Sequence, residues 1–330
     1  MAKPTVFVAR KMAQEALDMI ADATEMDLWE GELPPPRDVL LKKVQDIDGL
    51  LSLLTDKVDA ELMDAAPKLK VVSNMAVGFD NIDVPEATKH GIVVGNTPGV
   101  LTETTADFAW ALIMATGRRV AEGDRWTRSG KWKTWGPMIL QGYDIHHATL
   151  GIVGSGRIGI EIAKRARGFN MKILYYDVVR RKPEEEKELG LEYVPNLHDL
   201  LSRADFVTIH VPLMAETRHL ISTAEFAAMK PTAIFVNTSR GPVVDQKALY
   251  QALKSGQIFA AGLDVTEVEP ISMDDPLLTL DNITIAPHIA SASVATRTKM
   301  ATMAAANLIA GLKGEMPPNC VNPEVLQKKG

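Results

Sequence analysis

The chain has 330 residues, 46% of them apolar and 24% charged, with a net charge of −6. That composition fits a globular protein and excludes a disordered one, and the length suffices for two domains with a core each. The acidic balance without a Lys/Arg block argues against a nucleic-acid partner. The longest apolar run, Phe108 to Thr116, is too short to span a bilayer.

The first third alternates short apolar strands with helical stretches. TVFVA leads to a helix from about Met12, then EMDLW, then the turn Leu33-Pro34-Pro35-Pro36 and a helix around Val39 to Val44. GLLSLL, a helix near Ala60 to Ala65, LKVVSNM, a short helix after Val84 and GIVVGN complete five strands. Strands separated by helices predict a parallel sheet covered on both faces. No glycine-rich loop follows the first strand, so this unit carries no dinucleotide signature.

Thr97-Pro98-Gly99 marks a boundary, after which a helix from about Thr104 to Arg119 and a polar Trp-rich loop, RSGKWKTWGPM, lead into a second block. TLGIVG, KILYYD, DFVTIHV, AIFVNTS, FAAGLDV and ITIAP give six strands, the count of a doubly wound dinucleotide-binding domain. A last amphipathic helix, Thr296 to Leu312, is too small for a domain and is expected to pack on the first unit. The N-terminus MAKPTVFVAR starts a strand and has no signal-peptide pattern. The single cysteine, Cys320, permits no intramolecular disulfide and points to a reducing, cytoplasmic setting. No histidine, cysteine and carboxylate cluster has metal-ligand spacing.

Gly154-Ser-Gly156-Arg157-Ile158-Gly159 follows a strand and opens a helix. In that context Gly154 permits the tight turn, Gly156 lets the backbone approach a pyrophosphate, and Gly159 allows close helix–strand packing. The N–H groups of Gly156, Arg157 and Ile158 would bind the phosphates. Asp177, ending KILYYD, stands where ribose hydroxyls should lie and favours NAD, whereas Arg180, Arg181 and Lys182 just beyond it could reach the 2′-phosphate of NADP.

Three strand ends of the second block carry charge: Asn237-Thr-Ser-Arg240, Leu263-Asp-Val-Thr-Glu-Val-Glu269 and ITIAP-His288. A lone histidine after a strand is more often structural than catalytic. Ligands of open parallel sheets, however, bind outside the carboxyl ends of the strands, so Arg240, Glu269 and His288 fall on the cofactor side. The other histidines, His90, His146, His147, His198 and His219, read as surface or turn residues with no acid partner in a strand-end setting.

The motifs GxGxxG, VNTSRGPVVD, GLDVTEVEP and APHIASA, in that order, resemble the D-isomer-specific 2-hydroxyacid dehydrogenases across nearly the whole chain. GKWKTW, FNMKILYYD and PPNCVNPEV are most similar to the glyoxylate/hydroxypyruvate reductase branch. The resemblance implies an α/β architecture of two doubly wound parallel-sheet domains. A Rossmann dinucleotide-binding domain (100–287) would be inserted into a flavodoxin-like substrate domain (1–99 plus 288–330). It implies NAD, with NADP possible, and reduction of a small 2-keto acid to the D-2-hydroxy acid.

Carried over by position, the resemblance gives Arg240 the substrate carboxylate, His288 the proton for the carbonyl oxygen, and Glu269 the pairing that favours charged histidine. Val77 and Gly78 would bind the carboxylate through their N–H groups, with Leu53 and Ser291 lining the pocket. Trp135 would reach a neighbouring subunit of a homodimer. His210, Val211, Pro212, Thr217, Ser239 and Asp264 would line the cofactor. Formate-type oxidation is disfavoured by Glu269, while phosphite oxidation and a non-catalytic NAD-sensing protein stand as alternatives on the same fold.

Overall fold

A strand buried on both faces needs apolar side chains at successive positions, and parallel strands then need helical crossovers. The computed structural model, which describes residues 2–327, follows this rule in two units, Met1–Leu101 with Ala292–Gly330, and Thr102–Ser291.

In the first unit five strands, β1 (Thr5–Val8), β2 (Glu25–Leu28), β3 (Gly49–Ser52), β4 (Val71–Asn74) and β5 (Val93–Gly95), pair in parallel in the order β2-β1-β3-β4-β5. This is the flavodoxin-like order. One face is closed by the helix Val294–Leu312, whose Ala301, Ala304, Ala305 and Leu308 are buried with Val6, Val8, Leu51 and Val71. Its run of alanines lets helix and sheet approach closely. Asn307, fully buried in the same helix, donates from Nδ2 to the carbonyl of Asn96 (2.8 Å) and accepts from the N–H of Asn319 (3.0 Å), so its amide is satisfied.

The second unit holds seven strands: β6 (Thr149–Val153), β7 (Lys172–Tyr176), β8 (Leu191–Tyr193), β9 (Phe206–Ile209), β10 (Ile234–Asn237), β11 (Ala260–Leu263) and β12 (Ile283–Ile285). All are parallel, in the order β12-β11-β10-β9-β6-β7-β8. The sequence reading counted six. The one it lacked, β8, is a three-residue edge strand with a single buried side chain, and so shows no apolar pattern. One face of the sheet is covered by helices Thr102–Gly117 and Arg157–Arg167, packed on Ile152, Phe206, Ile234 and Val236. Phe226, Phe235, Leu249 and Leu253 fill the other.

The second crossing of the chain between units lies at 291/292, where the sequence reading had placed it at 287/288. The cause is local. His288 donates its N–H to the Asp264 carbonyl (2.9 Å), and the N–H groups of Ile289 and Ala290 donate to the Asp264 carboxylate (2.7 and 2.8 Å). These bonds fasten 288–290 to the end of β11.

Among the described residues no helix is long and apolar enough to cross a membrane. Asp59 caps the helix Ala60–Asp64 by accepting from the N–H of Leu62, and ion-pairs with Arg37 and Lys57. Partial burial acts against its ionisation, but bonds from Lys57, Arg37 and Leu62 outweigh that and lower its pKa from 3.8 to about 2. A depressed carboxylate adds stability that is complete above its unfolded pKa and lost as pH falls through the folded one. Denaturant melts of Asp59→Asn should therefore show a deficit against the parent at neutral pH that shrinks between pH 3.8 and about 2. A deficit independent of pH would refute the assignment.

Candidate active site

Strand order reverses at β6, which lies between β7 and β9, and crossovers leave on opposite faces there. A crevice opens at such a switch point beyond the carboxyl ends of the strands. The glycine loop fills the end of β6. Gly154 has φ of 94°, a left-handed value that L side chains seldom adopt, and a Cβ there would lie 2.8 Å from the His210 carbonyl at the end of β9. A Cβ on Gly159 would lie 2.2 Å from the Gly154 carbonyl, so the helix Arg157–Arg167 can start only this close to the strand with glycine. At Gly156 a Cβ would meet nothing within 4 Å. The approach to the helix N-terminus is therefore open, and its first N–H groups, at Arg157 and Ile158, have no intrahelical partner. That cradle fits a pyrophosphate.

Asp177 follows β7. Its Oδ2 accepts from the N–H (2.7 Å) and hydroxyl (3.0 Å) of Ser155, and its Oδ1 from the N–H of Val179 (3.2 Å). The carboxylate is thus fixed against the glycine loop. Thr217 closes the loop after β9: its hydroxyl donates to the Pro212 carbonyl (2.6 Å) and accepts from the N–H of Met214 (2.8 Å). Val211, between these elements, is half-buried. His210 bonds the Thr208 hydroxyl through Nε2 (2.9 Å), and desolvation pushes its pKa down to about 3. It is therefore a neutral ring at physiological pH and a poor candidate for proton donation.

The three charged strand ends sit on adjacent strands, β10, β11 and β12, and on one edge of the sheet. Asn237, the last residue of β10, shapes the first. Its Oδ1 accepts from the N–H and hydroxyl of Ser239 (both 2.9 Å) and its Nδ2 donates to the Arg240 carbonyl (3.0 Å). Arg240 itself is half-buried, with Nη1 donating to the Ser239 carbonyl (2.9 Å). Gly241 then passes directly over the loop of β11, since a Cβ there would lie 1.7 Å from the Thr266 carbonyl. That contact binds the Arg240 loop to the Glu269 loop.

His288 has φ of 56° and its Nδ1 is 2.7 Å from Oε2 of Glu269. An ionised carboxylate only accepts, so Nδ1 carries a proton and Nε2 is the atom left for chemistry. The other carboxylate oxygen of Glu269 accepts from the N–H of Thr266 (3.1 Å), which fixes the pair's orientation. Asp264 at the end of β11 spends both oxygens on the turn that follows His288, as described above, and is only 1% exposed. Burial raises its pKa against the pull of those two N–H bonds. Ser291, also buried, ends the turn.

Of the remaining candidates, Val77, Gly78 and Leu53 belong to the first unit and Trp135 to the second. Val77 and Gly78 follow β4. The Ala76 carbonyl accepts from the N–H of Thr97 (2.9 Å) and the Val77 carbonyl from Nδ2 of Asn96 (2.8 Å). Each bond fixes a peptide plane, and the N–H of the next residue, Val77 or Gly78, points the opposite way. Asn74 holds the Gly78 carbonyl (3.1 Å) and Asn81 the Leu53 carbonyl (3.1 Å). Asn74, Asn96 and Asn237 carry no chemistry of their own, and the sequence reading gave them no role. Their only signal was an amide at a strand end. Trp135 is 79% exposed on the loop after the helix Val120–Arg128.

One expectation is corrected. His219 does have an acid partner at a strand end, Glu267, at 2.7 Å in the same loop as Glu269, whereas His198 pairs with Glu225 (2.9 Å) between two helices, as a surface residue should. The His219 partners lie 48 positions apart and meet because β9 and β11 flank β10. Nothing in local sequence signals that proximity.

A parallel sheet with this strand order, a phosphate cradle at its switch point and an arginine, a carboxylate and a histidine on its carboxyl edge define a dinucleotide-dependent oxidoreductase. Residues 110–290 match the family model for the D-isomer specific 2-hydroxyacid dehydrogenase NAD binding domain. The glyoxylate reductase of Korarchaeum cryptofilum is 60% identical over 98% of both chains. Among solved structures, the TT0316 protein of Thermus thermophilus superposes with a TM-score of 0.90 at 44% identity, covering 96% of this chain and 99% of that one. The NADPH-dependent glyoxylate/hydroxypyruvate reductase of Sinorhizobium meliloti, solved with NADP and malonate, gives 0.84 at 34% identity over 98% of each. The chain belongs to the D-isomer specific 2-hydroxyacid dehydrogenases and is an NAD(P)-dependent oxidoreductase.

Asp264→Ala removes the carboxylate that anchors residues 289 and 290. Misplacement of a catalytic group by an ångström can lower rates about a hundredfold. The expected result is a kcat reduced by about that factor, read by steady-state kinetics. An unchanged kcat would show that the turn holds without Asp264.

Proposed function

We propose that this chain reduces glyoxylate and hydroxypyruvate to the corresponding D-2-hydroxy acids, with His288 as proton donor. The observation that carries the reading is the 2.7 Å His288–Glu269 pair on the sheet edge that also presents Arg240. The dinucleotide, when bound, supplies a hydride to the carbonyl carbon. His288 Nε2 gives a proton to the carbonyl oxygen as charge develops there, and Glu269 keeps the ring in the tautomer and orientation this needs. In the reverse direction neutral His288 takes the hydroxyl proton. Arg240 binds the substrate carboxylate through its planar fork and polarises the neighbouring carbonyl.

On the cofactor side, Gly156, Arg157 and Ile158 hold the pyrophosphate and Asp177 accepts from the adenosine ribose. His210, Val211, Pro212, Thr217, Ser239 and Asp264 line the nicotinamide half. The inserted unit is thus the dinucleotide-binding domain and the outer one the substrate domain. The carboxylate of Asp177 would repel a 2′-phosphate, which supports NADH as the preferred reductant. Trp132 (60% exposed), Trp135 (79%) and Met138 (75%) give the loop after the helix Val120–Arg128 an apolar surface suited to a homodimer contact that carries Trp135 to the partner. The single cysteine supports a reducing, cytoplasmic setting.

Loss of NADH absorbance with purified protein and either keto acid tests the reading directly, and no turnover with either would overturn it. In that assay His288→Ala should lose about 10²- to 10⁴-fold in kcat while NADH still binds. Near-parental turnover would remove His288 from the mechanism. Arg240→Lys keeps the charge but not the fork, and should raise KM for the keto acid about tenfold or more. An unchanged KM would count against the clamp.

A further inference from the structure

Arg180 and Arg181 stand three and four positions beyond Asp177, where a 2′-phosphate would draw on a free guanidinium. The structure occupies both. Arg180 donates from Nε and Nη2 to Glu186 (2.9 and 2.8 Å), a bidentate pair. Tyr175, on β7, donates its hydroxyl to the same carboxylate (2.7 Å) and accepts from the N–H of Arg181 (2.9 Å). The Arg180 guanidinium lies 5.3 Å from the centre of the Tyr193 ring, whose hydroxyl donates to the Asp177 carbonyl (3.4 Å). Arg180 is therefore stored one aromatic ring away from the ribose-binding residue. Arg181 donates from Nε to the Ser155 carbonyl (3.0 Å) in the glycine loop and pairs with Glu185 (3.3 Å).

We infer that Glu186 is a cofactor-specificity residue: with Tyr175 it withholds Arg180 from the adenosine 2′ position, so that Asp177 alone meets the ribose and the site favours NADH. The inference rests on the reading of Asp177 as the ribose-binding residue. Its physical basis is competition for one planar fork. A 2′-phosphate could engage Arg180 only by breaking two charge-assisted bonds to Glu186, whose side chain is only 11% exposed while that of Arg180 is 58% exposed. The carboxylate left behind would lose both charge-assisted bonds and keep only the one from the tyrosine hydroxyl. The bonds from Arg180 and Tyr175 hold Glu186 down to about 2, and burial together with Glu186 pushes Tyr175 up to about 12. The lock therefore keeps one protonation state across the working pH range.

The test is calorimetric titration of the full chain with NADH and NADPH, which needs no turnover and so stands apart from any failure of the keto-acid assay. Glu186→Gln should tighten NADPH relative to NADH by about tenfold, and adding Arg180→Gln to it should restore the parental ratio. Arg180→Gln alone, at an exposed position, should leave NADPH affinity within about twofold of the parent. A ratio unmoved by Glu186→Gln in a protein that still binds NADH would overturn the inference. So would a several-fold loss of NADPH affinity in Arg180→Gln, because Arg180 would then already reach the phosphate. Should Glu186→Gln fail to fold, Glu186→Asp, too short to keep both bonds to Arg180, should shift the ratio in the same direction, and an unmoved ratio would overturn the inference.

Discussion

The buried carboxylate of Asp264 fixes the turn that carries His288. It ends β11, accepts the N–H of Asp264's own neighbours across the sheet edge at 289 and 290, and its residue's carbonyl takes the N–H of His288. With those three donors satisfied, the chain can turn sharply after β12 and hold His288 at a positive φ. A non-glycine residue in that region is strained, and persists only where the surroundings over-determine it. The ring then meets Glu269, which is itself carried by the loop that Asp264 begins. One carboxylate thus anchors the turn that brings His288 against Glu269, from strands that are neighbours in the sheet. Gly241 extends the same logic to β10, because its contact with the Thr266 carbonyl leaves no room for a side chain between the arginine loop and the glutamate loop.

Much of this was legible in the sequence, for reasons that can be named. Apolar runs bounded by turns and helices announce parallel strands, so five of the strands in the first unit and six in the second were readable. The glycine spacing announced the phosphate cradle because each glycine answers a distinct steric demand, and Gly154 and Gly159 meet those demands in the structure. Arg240, Glu269 and His288 were readable as a set only because a parallel sheet places every strand's carboxyl end on one side. The motif order sharpened that to a family.

What was not legible depends on contacts between distant segments. The edge strand β8 has too few buried positions to show a period. The His219–Glu267 pair joins loops on either side of β10, and no local pattern couples them. The asparagines at strand ends were passed over because an amide looks like any polar loop residue until its partners are known. Asn237, Asn96 and Asn74 each satisfy backbone groups that the loops would otherwise leave unpaired, and so convert flexible connections into fixed platforms. The domain crossing at 291/292 was likewise invisible, since it is set by where Asp264 spends its oxygens.

The same reasoning applies to charge near the ribose site. Counting residues after β7 gives one acid, Asp177, against two arginines and a lysine, and on that count a 2′-phosphate looks welcome. Positions matter more than the count. Asp177 is fixed by Ser155 and Val179 with its carboxylate on the glycine loop, whereas both arginines spend their donors on groups already in the fold. An arginine engaged in a bidentate pair with a mostly buried glutamate is electrostatically near neutral as seen by a ligand, because its field is cancelled within one hydrogen-bond length. On the proposed reading of Asp177, cofactor choice then turns on which charges after β7 remain uncompensated. It does not follow from which are present in the sequence.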